Sequence, residues 1–356
     1  MTVASQEPAE KPRGGVGAGG PCILVTGGAG YVGSHTVLEL LDSGFRAVVL
    51  DNLVTGFRWA IDPRAAFVEG CVEDDALVRR LLRDHEVCGI LHFAGSTIVS
   101  ESVRDPLKYY RNNTAASRSL LESAVAARVR HFVFSSTAAV YGPSGMSSVS
   151  EDSPLQPATP YGWSKLMTEY MLDDVAASYP FNYCALRYFN VAGADPLGRA
   201  GPSTVIETHL IKVAVEVALG KRSEVIVYGN DFATPDGTGI RDYIHVSDLA
   251  RAHVLAIEKL FAWPCLSHVL NCGYGRGHSV LEILDMVGHV AGRPIPRVLG
   301  PRRPGDLDRV VADNRRLKER LAWRPRYEDL RAIIADALRW EEYLGRCATS
   351  DAAEKS

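Results

Sequence analysis

The sequence predicts an α/β fold: a Rossmann-type doubly wound parallel sheet with a smaller, intertwined C-terminal α/β region. Three observations predict it. A short apolar run, Cys22-Ile23-Leu24-Val25-Thr26, leads straight into Gly27-Gly28-Ala29-Gly30-Tyr31-Val32-Gly33 and then into an amphipathic stretch. Apolar runs and helical patterns alternate from there to about residue 190, as they do when crossover helices join parallel strands. Beyond Asn190 the alternation weakens, and glycine and proline become frequent between 193 and 203.

Cys22 to Thr26 reads as a buried strand, and the helix after it carries Val32, Thr36, Val37 and Leu40 on its inner face before ending near Gly44. Phe45 to Leu50 is a second strand, closed by Asp51-Asn52. Ala66 to Val68, Gly89 to Phe93 and His131 to Ser135 are further strands, separated by helices over Asp75 to Asp84 and Pro106 to Ala127. A helix opens at Thr159-Pro160, with Thr159 as its cap and the proline in the first turn, where a missing N–H costs nothing. Asn182 to Arg187 follows as a strand. In the C-terminal region Val205 to Leu219, Ser247 to Leu260 (capped by Ser247), Ser279 to Ala291 and Tyr327 to Leu344 read as helices, and Val225 to Tyr228 as a short strand.

The chain has 356 residues, 46% hydrophobic and 23% charged, which is enough apolar material for a sizeable core. Its net charge of -3 gives no basic field for nucleic acid or an acidic membrane surface. No apolar run is long enough to span a bilayer, and the N-terminus lacks a charged-then-apolar signal pattern. The seven cysteines are scattered and never spaced as a metal-binding pair, which suits thiols in a reducing, cytoplasmic compartment and predicts no metal site.

Gly28-Ala29-Gly30-Tyr31-Val32-Gly33 fits G-x-G-x-x-G, and Gly27 widens it. A strand before, a helix after and an acid at the end of the next strand make this a dinucleotide fingerprint. The glycines let the backbone approach a pyrophosphate at the positive helix end. Asp51 would bond both ribose hydroxyls and repel a 2′-phosphate, so NAD is expected rather than NADP. His92-Phe93-Ala94-Gly95 and Ser135-Ser136-Thr137 end two further strands at the same crevice. Tyr161 and Lys165 are four residues apart on one helix face, so an ammonium beside the phenol is expected to lower its pKa and make it a base. Ser136 or Thr137 is placed to bond a sugar oxygen and the phenol.

Several segments taken together resemble the extended short-chain dehydrogenase/reductase family, specifically its 4-epimerases of UDP-sugars. They are Thr26 to Thr36, Leu50 to Leu53, Phe67 to Gly70, His92 to Gly95, Glu101 to Val103, Tyr109 to Asn113, Phe134 to Thr137, Tyr161 to Lys165, Leu186 to Asn190, Arg302 to Asp306 and, most specific, Asp236-Gly237-Thr238-Gly239-Ile240-Arg241-Asp242-Tyr243-Ile244-His245. The resemblance implies reversible interconversion of UDP-glucose and UDP-galactose through a 4-keto sugar, with NAD retained. It makes Tyr161 the base, has Lys165 hold the nicotinamide ribose, and puts Thr137 with Ser136 on the 4-oxygen. Gly27, Gly28, Gly30, Tyr31, Val32, Gly33, Asp51, Asn52, Cys71, Val72, Phe93, Ala94, Gly95, Asn112 and Tyr188 fall to the cofactor. Asn190, His209, Tyr228, Arg241, Arg303 and Asp306 fall to the UDP-sugar, the arginines on the diphosphate, Tyr228 on the uracil and Asp306 on its ribose. Guanidinium groups suit a diphosphate because they bind it bidentately.

The resemblance also implies a homodimer built by the helices at Pro106 to Ala127 and Tyr161 to Tyr179. The chain then divides into a disordered tail over 1–20, an NAD-binding part over 21–190 to which later segments return, a mainly UDP-sugar-binding part over 191–345, and a C-terminal tail over 346–356. Two departures weaken the expected grip on NAD: Cys71 stands where the family has an acid for the adenine amine, and Thr97 where it often has a lysine. Val310 stands where some members carry a tyrosine that limits sugar size, so N-acetyl sugars are a second expected substrate class; pentose UDP-sugars share the C4 chemistry. A 4,6-dehydratase would need an Asp-Glu pair after the strand-end threonine, and here Ala138-Ala139 follow. A non-catalytic NAD-binding regulator would have no use for Tyr161, Lys165 and Thr137 together.

Overall fold

The computed structural model describes residues 19–142, 148–204, 209–263, 267–303 and 306–353, with side chains up to 347; nearly all of the expected N-terminal tail lies outside these residues. The first half alternates as the sequence predicts. Its elements are β1 (Cys22–Thr26), α1 (Tyr31–Asp42), β2 (Arg46–Asp51), β3 (Ala66–Glu69), α2 (Asp75–Asp84), β4 (Val87–His92), α3 (Val99–Arg104), α4 (Pro106–Tyr109), α5 (Ala116–Ala126), β5 (His131–Thr137), α6 (Pro160–Ser178) and β6 (Asn182–Tyr188). The second half carries β7 (Asn190–Ala192), α7 (Leu210–Ala218), β8 (Val225–Tyr228), β9 (Ile240–His245), α8 (Val246–Ala262), β10 (His268–Cys272), β11 (Gly277–Ser279), α9 (Val280–Ala291), β12 (Arg297–Gly300), β13 (Arg309–Val310), α10 (Arg315–Leu321) and α11 (Leu330–Ala353).

Seven strands form one parallel sheet in the order β10-β6-β5-β4-β1-β2-β3, which reverses direction of winding between β1 and β4. Every residue of β1 is buried, because a parallel sheet is covered on both faces and its inner strands have no wet side. One face packs on α1 and α8 around Ile23, Val25, Val37, Leu40, Val49 and Leu249. The other packs on α2, α5 and α6 around Leu24, Val78, Leu81, Leu120, Phe132 and Leu172. A third core, built by α7, α9, α11 and β8, holds the smaller region together.

The differences from the sequence reading have local causes. β10 reads poorly as a strand because of His268 and Asn271, yet it forms the sheet edge beside β6, and Asn271 is buried with its amide bonded to Val149 O and Tyr141. Ser247 is not the cap of α8: His245 is, its Nδ1 accepting from the Ser247 amide at 3.0 Å. Helix α7 begins at Leu210, and residues 205–208 of the longer helix expected there lie outside the described residues. Helix α11 starts three residues later than expected and runs to Ala353, through most of the expected C-terminal tail. The single helix expected over Pro106 to Ala127 contains one wide π turn, Tyr110–Ala115, which swings Asn113 into the interior. Among the described residues no helix is long and apolar enough to cross a membrane.

Candidate active site

The C-terminal edge of the sheet gathers the residues with chemistry. Gly27 follows β1 with φ +71°, a left-handed conformation that favours glycine, and a Cβ there would lie 2.5 Å from the Ala94 amide nitrogen. Gly33 lies one turn into α1, where a Cβ would meet the Gly27 carbonyl oxygen at 2.2 Å. These two glycines let the helix, the turn and the end of β4 touch. Gly30 differs: a Cβ there would meet only the Gly27 oxygen, at 3.3 Å. The protein itself therefore leaves room at Gly30. Gly30 is also the N-cap of α1, with no side chain capping the helix and no acid in its first turn. The positive helix end thus faces an open cradle, which is what a pyrophosphate needs.

Asp51 ends β2 at 8% exposure, its Oδ2 accepting from the Ala29 amide at 2.9 Å and Oδ1 from Leu53 at 2.9 Å. This carboxylate sits against the glycine turn, where a ribose beside a pyrophosphate would lie. Asn52 donates to Cys71 Sγ at 3.6 Å, so the thiol that replaces the expected acid is tied to the same loop; Val72 beside it is buried. Tyr31 donates to Gly193 O at 2.6 Å, joining the first turn of α1 to the second half of the chain, while Val32 packs into the core behind it. Phe93 tilts onto the buried His253 ring at 4.8 Å, and Asn112 donates to Ser96 Oγ at 3.1 Å. Donor set, open cap and carboxylate together fit a dinucleotide.

Helix α6 begins as expected: Thr159 accepts from the Gly162 amide and Pro160 stands in the first turn. This places Tyr161 and Lys165 at the sheet edge, 6% and 3% exposed. Lys165 Nζ donates to Ser135 O at 3.0 Å and lies 4.9 Å from the Phe134 ring centre. Thr137 stands beside the Tyr161 phenol and favours its ionised form, and Tyr109 meets its ring edge-on at 6.3 Å. Tyr188 accepts from Ser135 Oγ at 3.1 Å and sits next to Tyr161.

Two expectations change here. Ser136 does not face the crevice with Thr137, because the strand pleat turns it the other way; its Oγ donates to Glu169 Oε1 at 2.5 Å, and the residue has no exposed surface. Nor is the Tyr161 phenol lowered by Lys165. Burial raises it well above the ordinary tyrosine value, Tyr188 and Tyr109 add to the rise, and only Thr137 opposes it. Burial also pushes Lys165 down to about 8, with Glu169 opposing. Behind them His92, pushed down to about 3 by burial and then by Lys165, is a neutral link between Thr26 and Ser117.

The far wall comes from the second half of the chain. Arg303 lies flat over the Tyr228 ring at 3.9 Å, and Arg241 Nη2 is 3.9 Å from Asp306 while its Nη1 donates to Leu307 O at 2.8 Å. Asn190 opens β7, paired with Tyr243 of β9, and His209 stands at the N-cap position of α7 without a side-chain capping bond. Arg241 is brought close to Asp306 and Arg303 to Tyr228, although the sequence alone reads Arg302-Arg303 as solvated surface. Among the described residues no three His, Cys, Asp or Glu side chains converge as a metal site. Two functional groups were not singled out from the sequence. Asn113 accepts from the Ser96 amide at 2.7 Å and donates to Ser96 O and Ser164 Oγ, pinning the strand-end loop to α6. Glu169 repeats the spacing of Tyr161 and Lys165 one step further along α6, and that repeat was its signal.

The model of the NAD dependent epimerase/dehydratase family matches residues 23–273. A UDP-glucose 4-epimerase of Azospirillum brasilense is 50% identical over 327 residues, 92% of this chain and 94% of that protein. Among solved structures, a UDP-glucose 4-epimerase from Brucella ovis in complex with NAD has a TM-score of 0.87 at 43% identity, covering 90% of this chain and 98% of the other. One from Bifidobacterium longum in complex with NAD+ and UDP has a TM-score of 0.85 at 36% identity, again covering 90% and 98%.

Proposed function

The chain belongs to the NAD dependent epimerase/dehydratase family, and from that we propose that it interconverts UDP-glucose and UDP-galactose by transient oxidation at C4 of the sugar. The observation that carries the reading is one crevice holding Tyr161, Thr137 and Lys165 beside an uncapped glycine-lined helix end and the Asp51 carboxylate. A bound nicotinamide dinucleotide would accept the C4 hydride in its oxidised form and return it from its reduced form.

Tyr161 takes the proton of the 4-hydroxyl and returns it. Thr137 bonds the same oxygen and the phenol, fixing the line of transfer. A phenol held so high by burial is a poor base until a cation stands near it. In this structure Lys165 does not offset that burial; we assign the task to the cofactor-bound site, where Lys165 would reach the nicotinamide ribose beside the phenol and the positive first turn of α6 would add to it. Gly27, Gly28, Gly30 and Gly33 with Tyr31 and Val32 seat the pyrophosphate; Asp51 and Asn52 take the adenosine ribose; Cys71 and Val72 border the adenine; Phe93, Ala94, Gly95, Asn112 and Tyr188 line the nicotinamide end. Tyr228 stacks the uracil, Arg241 and Arg303 hold the diphosphate, Asp306 the uridine ribose, and Asn190 with His209 the neighbouring groups. The nucleotide stays held while the 4-keto sugar presents its other face.

Residues 21–190, with α8 and β10 returning to the sheet, form the cofactor half, and most of 191–345 forms the sugar-nucleotide half. A homodimer is supported by apolar side chains left uncovered along α3, α4 and α6: Val103, Leu107, Trp163, Met167 and Tyr170 are 60%, 75%, 41%, 38% and 52% exposed. The six described cysteines are free thiols, in keeping with the cytoplasm. Incubation with UDP-galactose and no added NAD, followed by product identification, tests the reading: UDP-glucose formation supports reaction and retained cofactor together. A Tyr161→Phe protein turning over at near wild-type rate would overturn the assignment of the base.

A further inference from the structure

The last three residues of β5 each hold one residue of a single face of α6. Thr137 stands beside the Tyr161 phenol, the Ser135 carbonyl accepts from Lys165, and Ser136 donates to Glu169. Tyr161, Lys165 and Glu169 follow one another at four-residue steps, so they stack along that face. Glu169 is 3% exposed and gripped by Arg187 of β6, whose Nε and Nη2 lie 3.0 and 2.6 Å from its two oxygens. Ser136 and Arg187 are register partners, so the carboxylate is held from two adjacent strands. Arg187 Nη1 in turn donates to Tyr141 OH at 3.0 Å, and Tyr141 to Asn271 on β10 at 2.5 Å. A buried charged network thus runs from the sheet edge to the residue behind Lys165, in the part of the molecule where Ser136 was expected to act on substrate.

We propose that Glu169, clamped by Ser136 and Arg187, is a positioning residue that keeps Lys165 cationic and aimed at the reacting end of the crevice. The inference rests on the assignment of Tyr161 and Lys165 above. The surroundings of Lys165 explain why such a group is needed. It faces the Phe134 ring and the Ser135 carbonyl on β5, the neutral His92 on β4, and the Gly95 turn backed by Asn113. None of these carries a negative charge. Burial alone drives the ammonium toward its neutral form, and Glu169 is the acid that opposes it. The other groups around Glu169 are Arg187 and Tyr183 on β6, and beyond Arg187, Tyr141 and Glu151. The carboxylate is ion-paired with Arg187 at 2.6 Å, and Lys165, one helical step back, feels it from beyond ion-pair distance. An opposite charge within about 4–6 Å shifts a partner's pKa by roughly 1–3 units, and a carboxylate already paired with Arg187 acts at the low end of that range.

The test is the pH profile of turnover of UDP-galactose by the NAD-bound protein. Lys165 acts as a cation, so loss of its proton sets the alkaline limb. Glu169→Gln keeps shape and hydrogen bonding but removes the charge, and the limb moves down by about 1 pH unit, from the low end of that range. Glu169→Gln with Arg187→Gln removes the buried charges as a pair and moves it the same way, whereas Glu169→Asp keeps the charge and restores it. A purely structural role would lower the rate at every pH and leave the limb in place. A folded, NAD-bound neutral variant with the wild-type limb overturns the proposal, and so does failure of both neutral variants to fold. Absence of turnover in the wild-type protein would instead strike the assigned reaction.

Discussion

Gly30→Ala separates what the fold requires from what the ligand requires. Gly30 has φ -80° and ψ 175°, which alanine adopts without strain, and the new Cβ would meet only the Gly27 oxygen, at 3.3 Å. Alanine is a poorer N-cap than glycine by up to about 1 kcal/mol, but it also restricts the unfolded chain by about 0.4–1 kcal/mol in the opposite sense. Stability should therefore change by less than about 1 kcal/mol, a Tm shift of no more than roughly 4 °C. In the cradle the same methyl stands where a pyrophosphate oxygen would meet the helix N–H groups. Losing one charge-assisted hydrogen bond costs about 1.5–3 kcal/mol, or roughly 10- to 150-fold in affinity. Gly33→Ala is the contrast, since its Cβ would stand 2.2 Å from the Gly27 oxygen and 2.8 Å from the Gly28 Cα. Backbone must move there, at a cost of roughly 3 kcal/mol and a Tm lower by about 6–12 °C. The assays are NAD content of the purified proteins, titration of stripped protein with NAD, and thermal unfolding without ligand. A stable Gly30→Ala protein holding NAD as tightly as wild type would refute the placement of the pyrophosphate.

Acid should unfold the protein through its buried histidines. His35, His92 and His253 are pushed down to about 4, 3 and 4, chiefly by burial, against an unfolded value near 6.5. The unfolded chain binds more protons in between, so this stability is complete above about pH 6.5 and is lost as pH falls toward 4, by up to about 1.4 kcal/mol per pH unit for each histidine. Denaturation at pH 7, 6 and 5 measures it, and His253→Gln should remove about one proton's share of the slope; an unchanged slope contradicts the claim. Val310 on β13 packs beside Val140, Tyr141, Leu166 and Phe189, so Val310→Tyr should narrow the sugar pocket and reduce turnover of UDP-N-acetylglucosamine at least about tenfold more than that of UDP-glucose. Negligible wild-type turnover of the N-acetyl sugar would dispose of that second substrate class. Leu107→Glu, at 75% exposure on the uncovered helical face, should convert a dimer to a monomer in sedimentation without unfolding it, and a wild-type monomer at micromolar concentration would remove the dimer altogether.

The cofactor half was legible because its information is local. A parallel strand ends and the chain turns toward a helix; Gly27, Asp51, Gly95 and Thr137 all stand at such ends, so reading the strands is enough to align them. The pleat is legible too, and it excludes Ser136: neighbours on a strand point to opposite faces, so of Ser135-Ser136-Thr137 the middle hydroxyl turns away from the end one, toward Glu169. What no local pattern carries is burial. The spacing of Tyr161 and Lys165 gives the right neighbours but the wrong sign for the phenol, because burial raises it and Tyr188 and Tyr109, 27 residues after and 52 before, add to the rise. The far wall of the crevice is legible only through the family resemblance, for a related reason. Tyr228, Arg241, Arg303 and Asp306 come together only after β8, β9 and the loop before β13 have folded together, and without the family resemblance Arg302-Arg303 reads as solvated surface. Long-range packing therefore sets the strength of the groups that the local pattern identifies. A buried acid such as Glu169, one helical step beyond the lysine, is where that packing would act on the chemistry.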